Sequence, residues 1–283
     1  MYSVPAIAQA GETINSLRRE VFPGGKGLNQ SIAAAKAGCD VIHYGAIGPD
    51  GVELVDYLKK HQVDADPVLH VGSASGHAFI QVDVAGQNAI VIHGGSNRLL
   101  PEEYWQAAIE SLEEGDWLLL QNETNAVGEM IEHARMCGAK AAINLAPADS
   151  SVRALPIDKV DLLIVNEAEA CALAGLSTPQ SAFSTLCDQL KHTNIVMTLG
   201  KEGLRMCSGE DRSLTSLDAF TVDAVDETAA GDAFVGYLMA DLVAGVTLVE
   251  AIKRGSAAGA LAVTKAGAAP SIPTADEVAR LLS

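Results

Sequence analysis

The sequence of 283 residues predicts an α/β fold in which helices cover both faces of a mostly parallel sheet. Short runs rich in Val, Ile and Leu alternate with longer stretches that carry apolar residues at helical spacing. Gly, Asn or Asp follows most of the short runs, as is typical where a buried strand ends in a turn. Hydrophobic residues make up 48% of the chain and charged residues 19%, so there is enough apolar material for one large core.

Each element of this fold has its own signal in the sequence. The β-branched apolar runs bounded by turn residues predict five strands, at 41–46, 117–121, 140–144, 162–165 and 194–199. The amphipathic stretches between and after them predict seven helices, at 27–37, 53–61, 102–110, 124–136, 180–190, 231–244 and 248–264.

One segment breaks this alternation. Residues 78–84 and 89–93 alternate apolar with other side chains around a turn that contains Gly86, which predicts a β-hairpin. A hairpin within a βα series would disturb the parallel sheet, so we expect it to project from one edge as a lid. The predicted division is a core of residues 24–71 and 95–283, and a discontinuous β lid of residues 1–23 and 72–94.

Charge and cysteine usage exclude several classes of protein. Lys and Arg total 19 and Asp and Glu total 36, and the net charge of −17 argues against a nucleic-acid partner. No apolar run approaches the length of a membrane span. The five cysteines form no C-x-x-C pair, which together with the uncharged first residues predicts a cytoplasmic protein with reduced thiols. The net charge leaves an anionic small ligand open, since backbone amides can bind one in a cleft.

Two segments carry residues suited to chemistry. Residues 24–30 read Gly-Gly-Lys-Gly-Leu-Asn-Gln, in which glycines allow close approach to the backbone and Lys26 and Asn29 offer donors. A glycine-rich helix start without a ligand explains this segment equally well. Residues 226–232 read Asp-Glu-Thr-Ala-Ala-Gly-Asp and precede an apolar helix, so their amides can form an anion hole.

Asp232 lies beside that predicted anion hole. Its carboxylate could accept a proton from a hydroxyl that attacks a phosphoryl group held by the amides. The alternative is a carboxylate that only stabilises the start of its helix. Three successive small residues, Ala229, Ala230 and Gly231, argue for a ligand because a simple helix cap does not need them.

Together these segments resemble the paired signatures of the ribokinase-like (pfkB-type) carbohydrate kinase family. Residues 166–169, Asn-Glu-Ala-Glu, and 198–203, Thr-Leu-Gly-Lys-Glu-Gly, resemble two further motifs of that family in the expected order. The resemblance extends from about Gly11 to the C-terminus. It implies a three-layer ribokinase-like fold with a small β lid, and transfer of the γ-phosphoryl of ATP to a sugar hydroxymethyl group, ribose being favoured.

The resemblance also implies roles for individual residues. Asp232 would be the base, with Ala229, Ala230 and Gly231 forming the anion hole. The sugar would be bound by Gly25, Lys26, Asn29 and Glu123, and the nucleotide by Asn166, Thr198, Gly200 and Gly203. Glu169 would contact Mg²⁺ through water, as suits an ion that keeps several waters. A monovalent cation, K⁺, would be bound by Asp226, Thr228 and the carbonyls of Val263, Ala266 and Ala268, although an ordinary loop explains the last three equally well.

The start of the chain departs from the family pattern. Members of the family begin with a hydrophobic strand, then a Gly and an Asn-x-Asp whose carboxylate binds the sugar. The first residues here resemble the next segment, which already crosses the lid, so we expect that strand and that aspartate to be absent. Either the start codon is placed too late or sugar affinity is weak, altered or lost. Loss of an interior strand would leave backbone groups on its two neighbours unpaired.

Two alternatives to a ribose kinase therefore stay open. One is a nucleoside kinase or a kinase of another sugar within the same family, since few pocket contacts set the substrate. The other is a catalytically idle nucleotide-binding relative that lacks a complete sugar site. The expected small-molecule partners are a sugar and ATP, and a lid with one exposed apolar face also predicts a homodimer through the lid.

Overall fold

The computed structural model describes residues 1–283 and contains twelve strands and nine α-helices. The strands are β1 (Tyr2–Ser3), β2 (Arg18–Arg19), β3 (Ala46–Ile47), β4 (Leu69–His70), β5 (His77–Val82), β6 (Asn88–His93), β7 (Trp117–Gln121), β8 (Lys140–Asn144), β9 (Leu162–Asn166), β10 (Asn194–Thr198), β11 (Leu204–Cys207) and β12 (Leu214–Leu217). The helices are α1 (Lys26–Lys36), α2 (Val52–Lys60), α3 (Glu102–Glu110), α4 (Val127–Cys137), α5 (Glu167–Ala174), α6 (Pro179–Gln189), α7 (Ala230–Val243), α8 (Leu248–Ala262) and α9 (Ala275–Leu282). None of the helices combines the length and the apolar character that crossing a bilayer requires.

The central sheet has six strands in the order β12-β11-β10-β9-β8-β7. Strands β7 to β10 are parallel, and β11 and β12 extend the sheet as antiparallel strands. Strand β9 shows how the sheet is covered, because Leu163 and Val165 pack with α4 and α6 on one face while Leu162 and Ile164 pack with α7 and α8 on the other. The predicted α/β class with three layers is therefore confirmed.

The strand predicted at 41–46 is wrong for most of its length. Ile42 makes only an isolated bridge to Asp64, and a two-residue strand, β3, pairs with β4 in a separate small sheet. The partner segment causes the interruption, since residues 65–68 form a turn closed by the Val68 amide on the Ala65 carbonyl, 3.2 Å. The ladder resumes only after that turn. In the central sheet, β7 forms the edge opposite β12 and pairs with β8 alone.

A second sheet of four strands, in the order β2-β1-β5-β6, forms the lid sheet. Strands β5 and β6 make the predicted hairpin, with Gly86 at its turn in the left-handed region at φ 79°. Strand β1 pairs in parallel with β5, and β2 pairs with β1. The first residues of the chain thus belong to the same sheet as the hairpin.

Helices α1 and α7 cross closely because of Gly236. A Cβ atom at this position would lie 2.3 Å from the Ala33 Cβ and 2.7 Å from the Ala34 amide nitrogen, so only glycine permits the approach. The crossing brings the first turn of α1 against the first turn of α7. It therefore decides which side chains of the two helices can touch.

Candidate active site

Polar side chains end four neighbouring parallel strands at the same edge of the central sheet. They are Gln121 of β7, Asn144 of β8, Asn166 of β9 and Thr198 of β10. The register pairs Gln121 with Asn144 and Asn166 with Thr198, while Asn144 lies opposite Ile164, two residues before Asn166. Ligands of open parallel sheets bind outside the carboxyl ends of the strands. The first turns of α1 and α7 lie at this edge, since the side chain of Gln30 contacts Asn144, Gln121 and Asp232.

The first turn of α7 exposes backbone amides. Ala229 precedes the helix in a left-handed conformation, φ 63°, and provides no side-chain cap. The amides of Gly231 and Asp232 donate to no acceptor in the structure. A Cβ at Gly231 would meet no atom within 4 Å, so this side of the first turn of α7 faces open space. Unpaired amides at the positive end of a helix suit an anion.

The carboxylate of Asp232 is held by two amide side chains of α1. Asn29 Nδ2 donates to Oδ2 at 2.8 Å and Gln30 Nε2 donates to Oδ1 at 2.9 Å. Asp232 is 7% exposed. Both oxygens have one donor each, which fixes the direction of the carboxylate beside the exposed amides of α7. The arrangement places a carboxylate next to backbone amides whose chemistry suits negative charge.

The predicted sugar residues gather around the start of α1. Gly25 precedes this helix at φ 103°, a conformation that favours glycine. Burial raises the pKa of Glu123, and the charge of Asp232 adds to that effect, whereas Lys26 acts in the opposite direction. The buried Oδ1 of Asn29 accepts no hydrogen bond. An acceptor without a donor suits a ligand hydroxyl at this position.

Asn166 and Glu169 form a capping box at the start of α5. The Glu169 amide donates to Asn166 Oδ1 at 2.9 Å and the Asn166 amide donates to Glu169 Oε2 at 2.8 Å. Burial raises the pKa of Glu169. The capping box leaves Oε1 of Glu169 without a donor, and no cluster of three or more His, Cys, Asp or Glu side chains forms a metal cage. One carboxylate oxygen fits Mg²⁺ that is held mainly by water and phosphate oxygens.

The predicted nucleotide residues follow β10. Thr198 ends this strand beside Asn166, and Gly200 and Gly203 both adopt left-handed conformations in the turn to β11. A Cβ at Gly203 would lie 2.0 Å from the Leu217 carbonyl oxygen, which excludes other residues there. Gly203 is therefore required by the close approach of β12, whereas a Cβ at Gly200 would meet no atom within 4 Å.

The predicted cation residues lie in two adjoining loops. Asp226 Oδ1 accepts from the amide and hydroxyl of Thr228, and Oδ2 accepts from the Gly267 amide at 2.9 Å. Two backbone amides donate to the Val263 carbonyl. Both the amide and the hydroxyl of Ser271 donate to the Ala268 carbonyl, while the Ala266 carbonyl accepts none. The Val263 and Ala268 carbonyls are saturated, so as a set these carbonyls do not fit a cation in this conformation of the loops.

Three residues at this edge, Gln30, Gln121 and Asn144, are functional candidates that the sequence motifs did not indicate. Gln30 lies in the quoted glycine-rich segment but received no role there, although its side chain touches Asp232. Gln121 and Asn144 end predicted strands, and a polar residue at the carboxyl end of a buried strand is a usable signal. Their contacts with Gln30 required the structure.

Comparisons with known proteins identify relatives that match nearly the whole chain. A family model described as pfkB family carbohydrate kinase matches residues 2–275. Ribokinase of Haemophilus influenzae is 33% identical over 290 residues, covering 99% of this chain and 94% of that protein. Deoxyribokinase of Salmonella typhi is 29% identical, covering 96% and 92%. A structure of Arabidopsis thaliana ribokinase complexed with ribose and ATP superposes with a TM-score of 0.87 at 25% identity, covering 100% and 94%.

Proposed function

The chain belongs to the pfkB family of carbohydrate kinases, and we propose that it phosphorylates the hydroxymethyl group of a sugar, with ribose as the first candidate. As a member of that family it is an ATP-dependent sugar kinase. The observation that carries the finer proposal is the first turn of α7. There a carboxylate held by two amides adjoins two backbone amides without acceptors.

In the proposed reaction, Asp232 accepts the hydroxyl proton as the sugar oxygen attacks the γ-phosphorus of ATP. The new oxygen–phosphorus bond forms while the bond to the β-phosphate oxygen breaks, and ADP leaves with that electron pair. Residues 229–231, with the free amide of Asp232, hold the transferred group through backbone amides, which stabilise negative charge on its oxygens. The Ala230 amide would exchange its 3.3 Å bond to the Glu227 carbonyl for the phosphoryl group. Positioning and electrostatics supply most of the rate in such a loose transition state.

The proposed sugar site uses the start of α1. The side chains of Lys26 and Asn29, the backbone at Gly25 and the carboxyl of Glu123 would bind hydroxyls. The unpaired Oδ1 of Asn29 supports this role because a hydroxyl would satisfy it. The pairing of Asn29 Nδ2 with Asp232 would bring the bound hydroxyls close to the base.

The proposed nucleotide site uses the carboxyl ends of β9 and β10. Asn166 would contact phosphate. Thr198, Gly200 and Gly203 would flank the nucleotide at the turn between β10 and β11. Bound Mg²⁺ would neutralise phosphate charge, and Glu169 would hold one of its waters. Burial raises the pKa values of both Glu123 and Glu169 and the charge of Lys26 opposes that rise, which supports one cleft shared by the sugar and the nucleotide.

Release of ADP across a panel of acceptors tests the proposal. We expect turnover with ribose to exceed turnover with deoxyribose, fructose and nucleosides. Strongest turnover with another sugar or a nucleoside would identify the second candidate, which the identity to a deoxyribokinase favours. Detectable ATP binding with no ADP formed from any acceptor would identify an idle relative and contradict the kinase proposal.

The cation site is tested by repeating the same panel of acceptors in a potassium salt and in the salt of a bulky organic cation. We propose that K⁺ binds between Asp226, Thr228 and the carbonyls of Val263, Ala266 and Ala268. The saturated Val263 and Ala268 carbonyls imply that residues 264–268 must rearrange first. Because K⁺ would bind beside the proposed anion hole after that rearrangement, a potassium salt should raise turnover. Equal rates in the two salts would contradict this site.

We also propose that residues 1–23 and 72–94 act as a lid and that two copies pair through it. Several apolar side chains of the hairpin are exposed: Phe79 43%, Ile90 53%, Val91 66% and Ile92 52%. A patch of this kind marks an interaction surface. Sedimentation should show a dimer that Val91→Lys dissociates, and a species of only 29.4 kDa in the unaltered protein would contradict the pairing.

The proposed location is the cytoplasm. All five cysteines are free thiols in the structure. Free thiols, two of them buried at Cys187 and Cys207, support a reducing compartment. The sugar and ATP are the proposed small-molecule partners there.

A further inference from the structure

Two side-chain amides, those of Gln121 and Gln30, form a directed chain that ends on Asp232, and a third, that of Asn144, accepts a branch from it. Gln121 Nε2 donates to Gln30 Oε1 at 2.8 Å, and Gln30 Nε2 donates to Asp232 Oδ1 at 2.9 Å. Gln30 Nε2 also donates to Asn144 Oδ1 at 2.9 Å. Gln30 is fully buried, so water does not compete for these bonds.

The orientation of the Gln30 amide follows from its partners. A carboxamide has two N–H donors and one acceptor oxygen, and here each finds a complementary group. Rotation of the amide by half a turn would place its oxygen against the carboxylate of Asp232. The same rotation would set two NH₂ groups, those of Gln30 and Gln121, against each other. Gln121 therefore acts together with Asp232 and Asn144 in setting which end of Gln30 faces Asp232.

We propose that Gln30, oriented by Gln121, is a positioning residue that aims the Asp232 carboxylate at the acceptor hydroxyl. This inference rests on the proposed role of Asp232 as the base. Asn29 holds the other carboxylate oxygen, so the two amides of α1 together fix the plane of the carboxylate. A small misplacement of a catalytic group costs large factors in rate.

Neutral donors suit this task better than a cation. Lys or Arg at position 30 would also hold the carboxylate, but it would place a full positive charge beside the site that must accept a proton. An amide holds the carboxylate through a hydrogen bond and leaves its net charge uncompensated. The second donation of Gln30, to Asn144, ties the amide to the carboxyl end of β8.

The test compares variants at positions 30 and 121. Gln30→Met keeps the volume and removes the donor, and we expect kcat to fall about 30-fold with the KM values for sugar and ATP within about twofold. Gln121→Met should lower kcat by about threefold. Gln121→Glu should lower kcat further, by about tenfold. An ionised Glu carboxylate accepts hydrogen bonds from the NH₂ group of Gln30, which turns the Gln30 oxygen toward Asp232. Gln121 reaches Asp232 only through Gln30, so this ranking is specific to the chain of amides.

A double variant and a control separate positioning from general stability. Gln30→Met combined with Gln121→Met should be no slower than Gln30→Met alone, since Gln121 acts only through Gln30. Asn194→Leu removes another side-chain amide. Asn194 lies at the start of β10, at the opposite end of that strand from the proposed site, and donates to the Asp161 carbonyl. This variant should lower the melting temperature and leave kcat unchanged.

Asp232→Asn, measured beside these variants, separates the two proposals. If Asp232→Asn is inactive and Gln30→Met keeps normal kcat, the positioning role is wrong and the base assignment stands. If Asp232→Asn keeps normal kcat, both are wrong. Should Gln30→Met fail to fold, the two Gln121 variants decide, because equal kcat in Gln121→Met and Gln121→Glu overturns the positioning role.

Discussion

Asp232→Asn is expected to lower the rate of ADP release with the preferred sugar by about 10³-fold and to leave ATP affinity within about twofold. The substituted side chain keeps nearly the same shape, so it can still occupy the space between Asn29 and Gln30. An amide cannot accept the hydroxyl proton, and the attacking oxygen must then lose it to water. The loss should fall on kcat, measured by coupled ADP assay, and ATP binding is measured separately by calorimetry.

The same helix offers a matched control for this substitution. Asp241 is also a buried carboxylate of α7, but it pairs with Arg254 near the other end of the helix. Asp241→Asn should lower stability by about 2 kcal/mol, because Arg254 loses its partner, and should leave kcat within about twofold. If both variants lose activity equally, the effect of Asp232→Asn is structural, and the base must be sought elsewhere.

The regular elements could be predicted because their signals are local. Hydrophobic spacing predicts the helix at 102–110 with the observed bounds, and alternation predicts the strands of the hairpin to within one or two residues. Helix α4 begins at Val127, three residues later than predicted, because Ala126 adopts a left-handed conformation, φ 59°. Hydrophobic spacing carries no information on a backbone conformation of that kind.

Failures of prediction arise where distant segments decide the outcome. The strand at 41–46 has the right composition, but its ladder is broken by a turn in the partner segment at 65–68. The contact between Gln30 and Asp232 joins residues 202 positions apart in sequence. It exists because Gly236 lets α1 and α7 cross closely, and no local pattern encodes which helices will cross.

Asn166 and Glu169 show a different limit. The sequence pattern alone allows either a helix cap or a phosphate and metal role, and the structure places both side chains in a capping box. The capping box uses Oδ1 of Asn166 and Oε2 of Glu169. The NH₂ group of Asn166 and Oε1 of Glu169 are not needed for the cap. A cap of this kind holds a ligand-binding side chain in place, so the two roles are compatible.

Gly231→Val should give a stable protein with about 10²-fold to 10³-fold lower kcat. A Cβ at this position meets no atom within 4 Å, so the added side chain fits the fold without a clash. Glycine is also a poor helix former, and its replacement by alanine in a helix commonly adds about 0.5–1 kcal/mol of stability. The added side chain would lie on the same turn as the unpaired amides of Gly231 and Asp232, where the phosphoryl group is proposed to bind.

Gly231→Ala provides the graded comparison for that substitution. Its single methyl group should raise the melting temperature slightly and reduce kcat less than valine does. Loss of activity that grows with side-chain size, without loss of stability, is what steric exclusion of a phosphoryl group from the first turn of α7 requires. Normal kcat in Gly231→Val would place the transferred group away from these amides, because the valine side chain and the phosphoryl oxygens cannot share the same volume.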